Sequence, residues 1–242
     1  MHRFFVDPFT ITDHVVALSE DDAQHALRVL RLHEGDTVLI CDGKDRECSG
    51  KIIGTTKKSV SVQLEDFYEL HTEPQMKITL YQGFPKADKN DTIFQKGTEV
   101  GISGFVPFIS ERSVVKTDSK KKMRRYERII YEASKQSHRG MIPSVEEAIS
   151  FQEVCQRIPF HEMTLVAWEE EAIRSVKEAL CGFRGTDIAI VIGPEGGLSS
   201  EEVASMEEAG AITVTLGPRI LRTETAGTAL AVMILYEFGN MT

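Results

Sequence analysis

The sequence contains no apolar run long enough to cross a membrane, and this absence sets the first limit on its class. A membrane-spanning helix needs about 20 consecutive apolar residues, and the 242 residues of this chain, 41% of them hydrophobic, contain no such run. Residues 1–5 also lack the charged start, apolar core and cleavage site of a signal peptide. We therefore expect a soluble globular protein of the cytoplasm.

Cysteine is scarce, and its spacing excludes two further classes. The four cysteines, Cys41, Cys48, Cys155 and Cys181, lie far apart with no C-x-x-C spacing. That pattern fits reduced, partly buried thiols better than a disulfide framework or a zinc site. The sequence has no histidine-rich ligand cluster either, so we predict that no metal is bound.

The usual nucleotide-binding fingerprints are missing as well. No G-x-x-x-x-G-K-[ST] motif indicates a phosphate-binding loop, and no G-x-G-x-x-G motif opens a βαβ unit. The chain has instead two other glycine-rich loops, GPEGG at 193–197 and LGPRILRTET at 216–225. Any small-molecule ligand of these loops should therefore differ from the nucleotides and dinucleotides that those fingerprints bind.

Each glycine-rich loop follows a strand-like apolar run, at 187–192 and at 212–216, and leads into a predicted helix. The carboxyl ends of parallel strands lie at one edge of a sheet, where open α/β folds bind their ligands. Ser199 and Glu202 have the spacing of a capping box, so a helix with free N–H groups should begin after the first loop. These patterns predict a small-molecule site, the alternative for the first loop being an ordinary glycine-rich turn.

The chain divides into two patterns. Short alternating strands at 36–43, 47–54 and 59–64 predict a small β-barrel, preceded by a helix over 21–32. A polar stretch at 69–75 separates it from strands that alternate with helices, which predicts a parallel sheet covered on both faces. The predicted strands are 77–83, 104–109, 164–168, 187–192 and 212–216, and the predicted helices are 91–100, 120–137, 151–156, 173–180, 200–208 and 225–238.

Charge is unevenly distributed. The formal net charge is −9, which alone argues against a nucleic-acid partner. Residues 112–139, however, carry ten basic residues against three acidic ones, a local balance of +7. This stretch is a candidate RNA-binding surface, and the alternative is a solvated, lysine-rich start of a helix.

Six motifs together resemble one known family. They are GPEGGLSSEE at 193–202, LGPRILRTETA at 216–226, PKADKND at 85–91, QKGTEVG at 95–101, ERSVVK at 111–116 and EASKQSHR at 132–139. Through them the chain is similar to the RsmE family of the SPOUT class, ribosomal RNA methyltransferases. HALRVLR at 25–31 resembles the family's N-terminal barrel, so the similarity covers nearly the whole chain. Two positions depart from the family: Ala87 stands where glycine is common, and Lys135 replaces a common glutamate.

The resemblance implies a fold and an activity. The expected fold is α/β: a PUA-like RNA-binding β-barrel at 1–72, then a SPOUT methyltransferase domain at 73–242, a trefoil-knotted parallel sheet with helices on both faces. Spacing rules do not predict the knot, since threaded chains are almost absent from proteins. The implied reaction is S-adenosylmethionine-dependent methylation of N3 of a specific uridine in 16S ribosomal RNA. The implied partners are the small-subunit RNA, or the assembled subunit, and a second copy of the chain.

The family motifs also imply site residues. The candidates for the cofactor are Gly193, Pro194, Glu195, Gly196, Gly197, Leu216, Gly217, Pro218, Ile220, Leu221, Thr225 and Ala226. The candidates for RNA are Arg3, His25, Arg28, Arg31, Arg112, Lys116, Lys120, Lys121, Lys122 and Arg124.

Catalytic candidates follow from the reaction. Methyl transfer to a ring nitrogen needs alignment of nucleophile, methyl group and leaving sulfur. Uridine N3 also carries a proton, so a base or a cation that stabilises the developing oxyanion is required. We expect Arg139 and Arg222 to stabilise the oxyanion and Glu132 to act as the base. Glu224 is the alternative base, and Arg112 the alternative cation.

The last segment suggests assembly. Residues 226–238 carry more apolar positions than one buried helix face requires, so a second subunit is expected to cover the other face. The alternative is a helix buried in its own domain. For the whole chain, the alternative function is that of a non-catalytic RNA-binding protein in ribosome assembly. A third hypothesis, an enzyme that acts on a small nucleotide, would leave the N-terminal barrel unexplained.

Overall fold

The computed structural model describes residues 1–86, 89–113 and 120–241. Contacts divide the chain into two compact units, one formed by residues 1–73 with 134–142 and the other by 74–133 with 143–242. The first unit therefore includes a segment distant in sequence, which lies outside the predicted range 1–72. Within the described residues, no helix combines the length and apolar character needed to cross a bilayer.

The first unit is built on a six-stranded sheet. Its strands are β1 (Arg3–Phe5), β2 (Val15–Ala17), β3 (Thr37–Cys41), β4 (Arg46–Thr55), β5 (Val60–Leu64) and β6 (Tyr68–Glu69). They pair in the order β1-β3-β4-β5-β2, with β6 on β4. β1 and β3 are parallel and the other pairs antiparallel. In β5, Val60, Val62 and Leu64 alternate into the core with polar neighbours outside, the period-two pattern of a half-buried strand.

The helix expected over 21–32 needs correction. A short α-helix, α1 (Glu20–Gln24), is capped by Ser19 and continues as a π-helical turn over His25–Val29. Arg31 then has a positive φ of 55°, a left-handed conformation that ends the helix. The wider turn still buries Ala26 and leaves Arg28 and Arg31 exposed.

The second unit has a sheet whose strands are all parallel. Its strands are β7 (Lys77–Gly83), β8 (Gly104–Ile109), β9 (Ser144–Val145), β10 (Ile149–Ser150), β11 (Met163–Ala167), β12 (Asp187–Ile192) and β13 (Ile212–Val214). The order is β10-β8-β7-β12-β11-β13, with β9 on β8. The helices are α2 (Lys89–Val100), α3 (Lys120–Gln136), α4 (Phe151–Arg157), α5 (Val176–Leu180), α6 (Ser200–Glu208) and α7 (Thr223–Glu237), of which α3 ends in the first unit.

Both faces of this sheet are buried, as predicted. In β12, Ile188, Ile190 and Ile192 belong to one core cluster, and Ala189 and Val191 to another on the opposite face. Helices α2, α3, α5 and α7 contribute to the first cluster, and α4 and α6 to the second. A strand that is buried on both faces has a continuous apolar sequence, and this is why β12 could be predicted from the sequence.

Candidate functional site

A cavity of about 350 Å³ lies at the carboxyl edge of the parallel sheet. β12 pairs with β7 and β11, and β11 pairs with β13, so the segments that follow these strands meet at one edge. The lining residues are Lys89, Ala167, Trp168, Glu169, Ile192, Gly193, Pro194, Glu195, Gly197, Thr215, Leu216, Gly217, Arg219, Ile220, Leu221, Arg222, Thr223 and Ala226. Both glycine-rich loops therefore border a single cavity.

Most of the expected cofactor residues line this cavity, but three do not. Gly196, Pro218 and Thr225 lie outside its lining. The sequence interpretation missed the walls contributed by Lys89 and by Trp168 and Glu169 after β11. Their positions depend on which strands are neighbours, which motif spacing does not reveal.

The first loop, residues 193–197, is fixed by buried polar contacts. The hydroxyl of Thr223 donates to the carbonyl of Gly193 at 2.7 Å, and Gln82 Nε2 donates to the same hydroxyl at 2.9 Å. Gln82 is fully buried. Gly83 lies so close to Pro194 that a Cβ there would be 2.6 Å from the proline ring. The end of β7 and the start of α7 thus hold this loop in place.

A capping box follows the first loop, as the spacing predicts. The Ser199 amide donates to Glu202 Oε2 at 3.0 Å, and the Glu202 amide donates to the Ser199 hydroxyl at 3.3 Å. Glu202 Oε1 also accepts the amide of Glu111 at 2.8 Å. The buried carboxylate therefore joins the start of α6 to the segment that follows β8.

The adjacent glycines of the first loop face different neighbours. Gly197 has a φ of 69°, and a Cβ there would collide with the carboxylate of Glu169 in the cavity wall. A Cβ at Gly196 would instead meet Arg112, whose guanidinium donates to the Gly196 carbonyl at 3.0 Å. Gly197 is therefore the residue whose missing side chain shapes the cavity, and Arg112 supports the loop from outside.

Three charged side chains join separate elements beside the cavity. Lys89 Nζ lies 3.1 Å from Glu195 Oε1 and 3.3 Å from Glu224 Oε2. Burial tends to raise the pKa of each glutamate, but backbone hydrogen bonds and Lys89 outweigh it and hold both pKa values below normal. The hydrogen bond with Glu195 raises the pKa of Lys89. The cluster is therefore fully ionised at neutral pH.

The second loop is more open, and in the structure it spans residues 215–222, because β13 ends at Val214 and α7 already begins at Thr223. Gly217 has a φ of 101°, and its amide donates to the Thr215 hydroxyl at 3.2 Å. Ile220 is 79% exposed although it lines the cavity. Arg222 is the N-cap of α7, and its guanidinium is 81% exposed, 4.0 Å from Glu224. This loop presents apolar surface and charge to solvent at the cavity rim.

Two expected functional arginines are buried in the first unit. Arg139 makes a two-point ion pair with Glu73, with Nη2–Oε2 at 2.6 Å and Nε–Oε1 at 3.2 Å. Arg3 pairs with Glu47 and donates to the Arg139 carbonyl at 3.2 Å. The buried guanidinium of Arg3 is bonded to Glu47, which indicates a structural role, and its RNA contact stays a prediction. For Arg139 the ion pair indicates a role in anchoring residues 134–142, and its catalytic role stays a prediction.

The other expected RNA residues fall into two groups. Lys122 and Arg124 are exposed on α3, and Lys122 Nζ lies 5.7 Å from the centre of the Phe84 ring. In the first unit, Arg28 and Arg31 are exposed and His25 is half-buried. Lys116 and Ala87 lie outside the described residues, as do the side chains of Lys120 and Lys121. Lys135, the second departure from the family, pairs with Asp22 at 3.3 Å.

Comparisons with known proteins agree with this arrangement. Residues 71–235 match the family model of an RNA methyltransferase domain, and residues 18–65 match that of an RNA methyltransferase PUA domain. The class is therefore that of RNA methyltransferases with a PUA domain. A ribosomal RNA small subunit methyltransferase E from Bacillus subtilis is 36% identical over 93% of both chains, and one from Aquifex aeolicus is 33% identical over 98% of this chain and 100% of its own. The chain belongs to the ribosomal RNA small subunit methyltransferase E family, which confirms the resemblance found in the sequence.

A solved structure extends the likeness to three dimensions. The Neisseria gonorrhoeae ribosomal RNA small subunit methyltransferase E, bound to S-adenosyl methionine, is 29% identical over 98% of both chains, with a TM-score of 0.88. A Legionella pneumophila protein in complex with the cofactor SAM is 28% identical over 98% of both chains, with a TM-score of 0.90. The expected fold class, a PUA-like domain followed by a SPOUT-type α/β domain, is thereby confirmed.

Proposed function

We propose that this protein transfers the methyl group of S-adenosylmethionine to N3 of one uridine in small-subunit ribosomal RNA. The observation that carries the proposal is the cavity bordered by both glycine-rich loops, in a chain of this methyltransferase family. A non-catalytic RNA-binding protein has no need for such a cavity.

The residues of the cavity fit S-adenosylmethionine. Its volume is within the range of small-molecule sites, about 300–1,000 Å³. Ile192, Leu216 and Leu221 supply apolar walls for an adenosyl group, and Glu195 supplies negative charge for a cationic ligand. The buried indole N–H of Trp168 has no acceptor among the described residues, so a ligand oxygen or nitrogen could serve as one.

The cofactor, when bound, supplies an electrophilic methyl group on a sulfonium. The protein's part is to align the uracil ring and to stabilise charge on its oxygens. Arg222 is the best-placed cation for this role, because its exposed guanidinium extends from the cavity rim. A guanidinium stays protonated at accessible pH, so Arg222 stabilises the oxyanion and does not remove the proton.

The proton of N3 needs a separate acceptor. Glu224 is disfavoured as the base. Against the effect of burial, a backbone hydrogen bond and Lys89 hold its pKa below normal, which makes the carboxylate a weak base. Glu132, on the part of α3 that belongs to the second unit, remains our proposed base. Arg139 remains a second proposed oxyanion partner, with its ion pair to Glu73 as the structural alternative.

RNA binding is assigned to the exposed cations of each unit. Lys122 and Arg124 on α3, and Arg28 and Arg31 after α1, can contact phosphate without regard to sequence. N3 is hidden in a base pair, so the target uridine must be unpaired or swung out of its helix. The two predicted domains, 1–72 for RNA binding and 73–242 for catalysis, are part of this proposal.

We also propose a homodimer that contacts itself through α7. One face of this helix is buried in its own unit through Leu230 and Ile234. On the other side, Met233 is 40% exposed and Tyr236 is 71% exposed. A helix with apolar residues on both faces can bury one face in its own unit and the other against the same helix of a second copy. The trefoil knot, formed by the C-terminal segments, is proposed on family resemblance.

The decisive test is chemical. Small-subunit RNA from cells lacking the gene is digested to nucleosides after incubation with the protein and S-adenosylmethionine. We expect one 3-methyluridine per RNA, and mass mapping of larger fragments of the same RNA should place it at one position. RNA binding without any methylated nucleoside, on naked RNA and on assembled subunits alike, would support the non-catalytic alternative.

A further inference from the structure

Lys89 belongs to the PKADKND motif at 85–91 but is not among the predicted site residues, and it lies between two carboxylates beside the cavity. Its Nζ is 3.1 Å from Glu195 Oε1 and 3.3 Å from Glu224 Oε2. Lys89 is the first residue of α2, Glu195 lies in the first loop, and Glu224 lies in the first turn of α7. Three elements separate in sequence thus place their charges together, and Lys89 and Glu195 both line the cavity.

The cluster carries a defined net charge. Two carboxylates and one ammonium leave a charge of −1. The glutamate pKa values are lowered and that of Lys89 is raised, so all three groups stay charged at neutral pH. Without the lysine, the same carboxylates would present −2 to the cavity.

The two ligands of the proposed reaction differ by one charge. S-adenosylmethionine has a sulfonium, and its product S-adenosylhomocysteine has a neutral sulfide, while the amino acid and nucleoside parts are the same. A fixed charge near the cavity therefore changes the affinities of the two ligands unequally. The same charge affects the rate of methyl transfer, because the positive charge on sulfur disappears during the reaction. Too strong an attraction for the sulfonium before transfer therefore slows the step.

We propose that Lys89 sets the relative affinity for the methyl donor and its product, by neutralising one of the two carboxylates beside the cavity. This inference rests on the proposed methyltransferase function. Lys89 acts on the ligand through the charge of the cluster, so it is a positioning residue and not a group in contact with the transferred methyl.

Calorimetric titrations test this inference with four proteins: wild type, Lys89→Met, Lys89→Arg and Lys96→Met. Lys96 is a matched control because it lies on the same helix and pairs with Glu99, away from the cavity. The readout is the Kd of S-adenosylhomocysteine divided by that of S-adenosylmethionine. We expect Lys89→Met to raise this ratio by about threefold or more at low salt, and less at high salt. Lys89→Arg and Lys96→Met should leave it near the wild-type value.

A second variant keeps the inference testable if Lys89→Met loses both ligands. Glu224→Gln removes one negative charge, so it should change the ratio in the opposite direction, by about threefold. An unchanged ratio in a ligand-binding Lys89→Met protein, or in Glu224→Gln, would overturn the role of Lys89. If wild type binds neither ligand, the proposed function itself fails.

Discussion

The two loops at the cavity differ in how they are held. The first, residues 193–197, has its Gly193 carbonyl bonded to the Thr223 hydroxyl, its Glu195 carboxylate paired with Lys89, and its Gly196 carbonyl bonded to Arg112. The second, residues 215–222, is held at its start by the Thr215 amide, which donates to the Arg174 carbonyl, and by Leu216 and Leu221, which pack against the core. Its other hydrogen bonds join Thr215 to Gly217, and it exposes Ile220 and Arg222. One wall of the cavity is preformed, and the other is open to solvent.

This difference suggests that the two loops have different roles in binding the cofactor. Segments with many buried contacts open rarely, and segments with exposed backbone and few contacts adapt readily to a ligand. The first loop should therefore define the shape of the cofactor site. The second should close over the cofactor and present Arg222 to RNA.

The largest expected effect is on chemistry, through the second loop. Arg222→Ala should lower the single-turnover rate on the order of a hundredfold or more, because one preorganised donor to a developing oxyanion is lost. Stability should change little, since the guanidinium is exposed, and cofactor affinity should change far less than the rate. Raising the pH should partly restore the rate, as more uridine loses its N3 proton unaided.

Rates at saturating RNA and cofactor, measured against pH, provide the check for Arg222→Ala. Arg184→Ala serves as the control, because Arg184 is exposed and does not line the cavity. A saturated rate equal to wild type would reduce Arg222 to an RNA contact.

The next effect concerns the shape of the first loop. Gly197→Val should weaken S-adenosylmethionine binding by about tenfold to a hundredfold, because a branched side chain is strained at a φ of 69° and meets Glu169. Gly210→Val is the matched control: its φ is 105°, and nothing crowds a Cβ there. Equal calorimetric affinities for the two variants would show that the first loop does not shape the site.

A third pair of variants compares the loops by stability. Thr223→Val removes the hydroxyl that joins Gln82 to Gly193, so buried polar groups lose partners, and we expect a loss of about 1–3 kcal/mol. Thr215→Val alters the more exposed loop and should change stability by less than about 0.5 kcal/mol. Urea denaturation measures the free energy of unfolding of both variants, provided that its dependence on urea concentration is the same as in wild type. Similar losses for both variants would erase the proposed difference in rigidity.

The smallest effect concerns Ile220. Because its side chain is 79% exposed, Ile220→Ala should leave stability within about 0.5 kcal/mol of wild type. If the second loop closes over the cofactor, the variant should bind S-adenosylmethionine about three- to tenfold more weakly. Ile173→Ala, at a residue that is 89% exposed and outside the cavity, controls for general surface effects. Unchanged affinity in Ile220→Ala would indicate that this loop stays open.

Local patterns predicted much of this fold. Strands β7, β8 and β12 and helix α6 have the predicted bounds, because apolar runs and the Ser199–Glu202 capping box are local signals. The two-residue strands β9 and β10 were missed, since segments so short carry no periodicity. Both glycine-rich loops were placed correctly at one sheet edge.

What the sequence could not provide was the choice of distant partners. Arg139 pairs with Glu73 and Arg3 with Glu47, and nothing in a basic motif distinguishes a buried, paired arginine from one that binds phosphate. Lys89 was missed for the same reason, because its carboxylates come from α7 and the loop after β12. These pairings follow from tertiary packing, which a linear pattern does not encode.

Amide hydrogen exchange with and without S-adenosylmethionine shows whether the two loops together form the cofactor site. We expect amides at 193–197 to exchange slowly in the free protein, and amides at 216–222 to exchange fast and to become protected when the cofactor is added. If saturating cofactor leaves exchange in both loops unchanged, or protects residues away from this cavity instead, the two loops do not form the cofactor site.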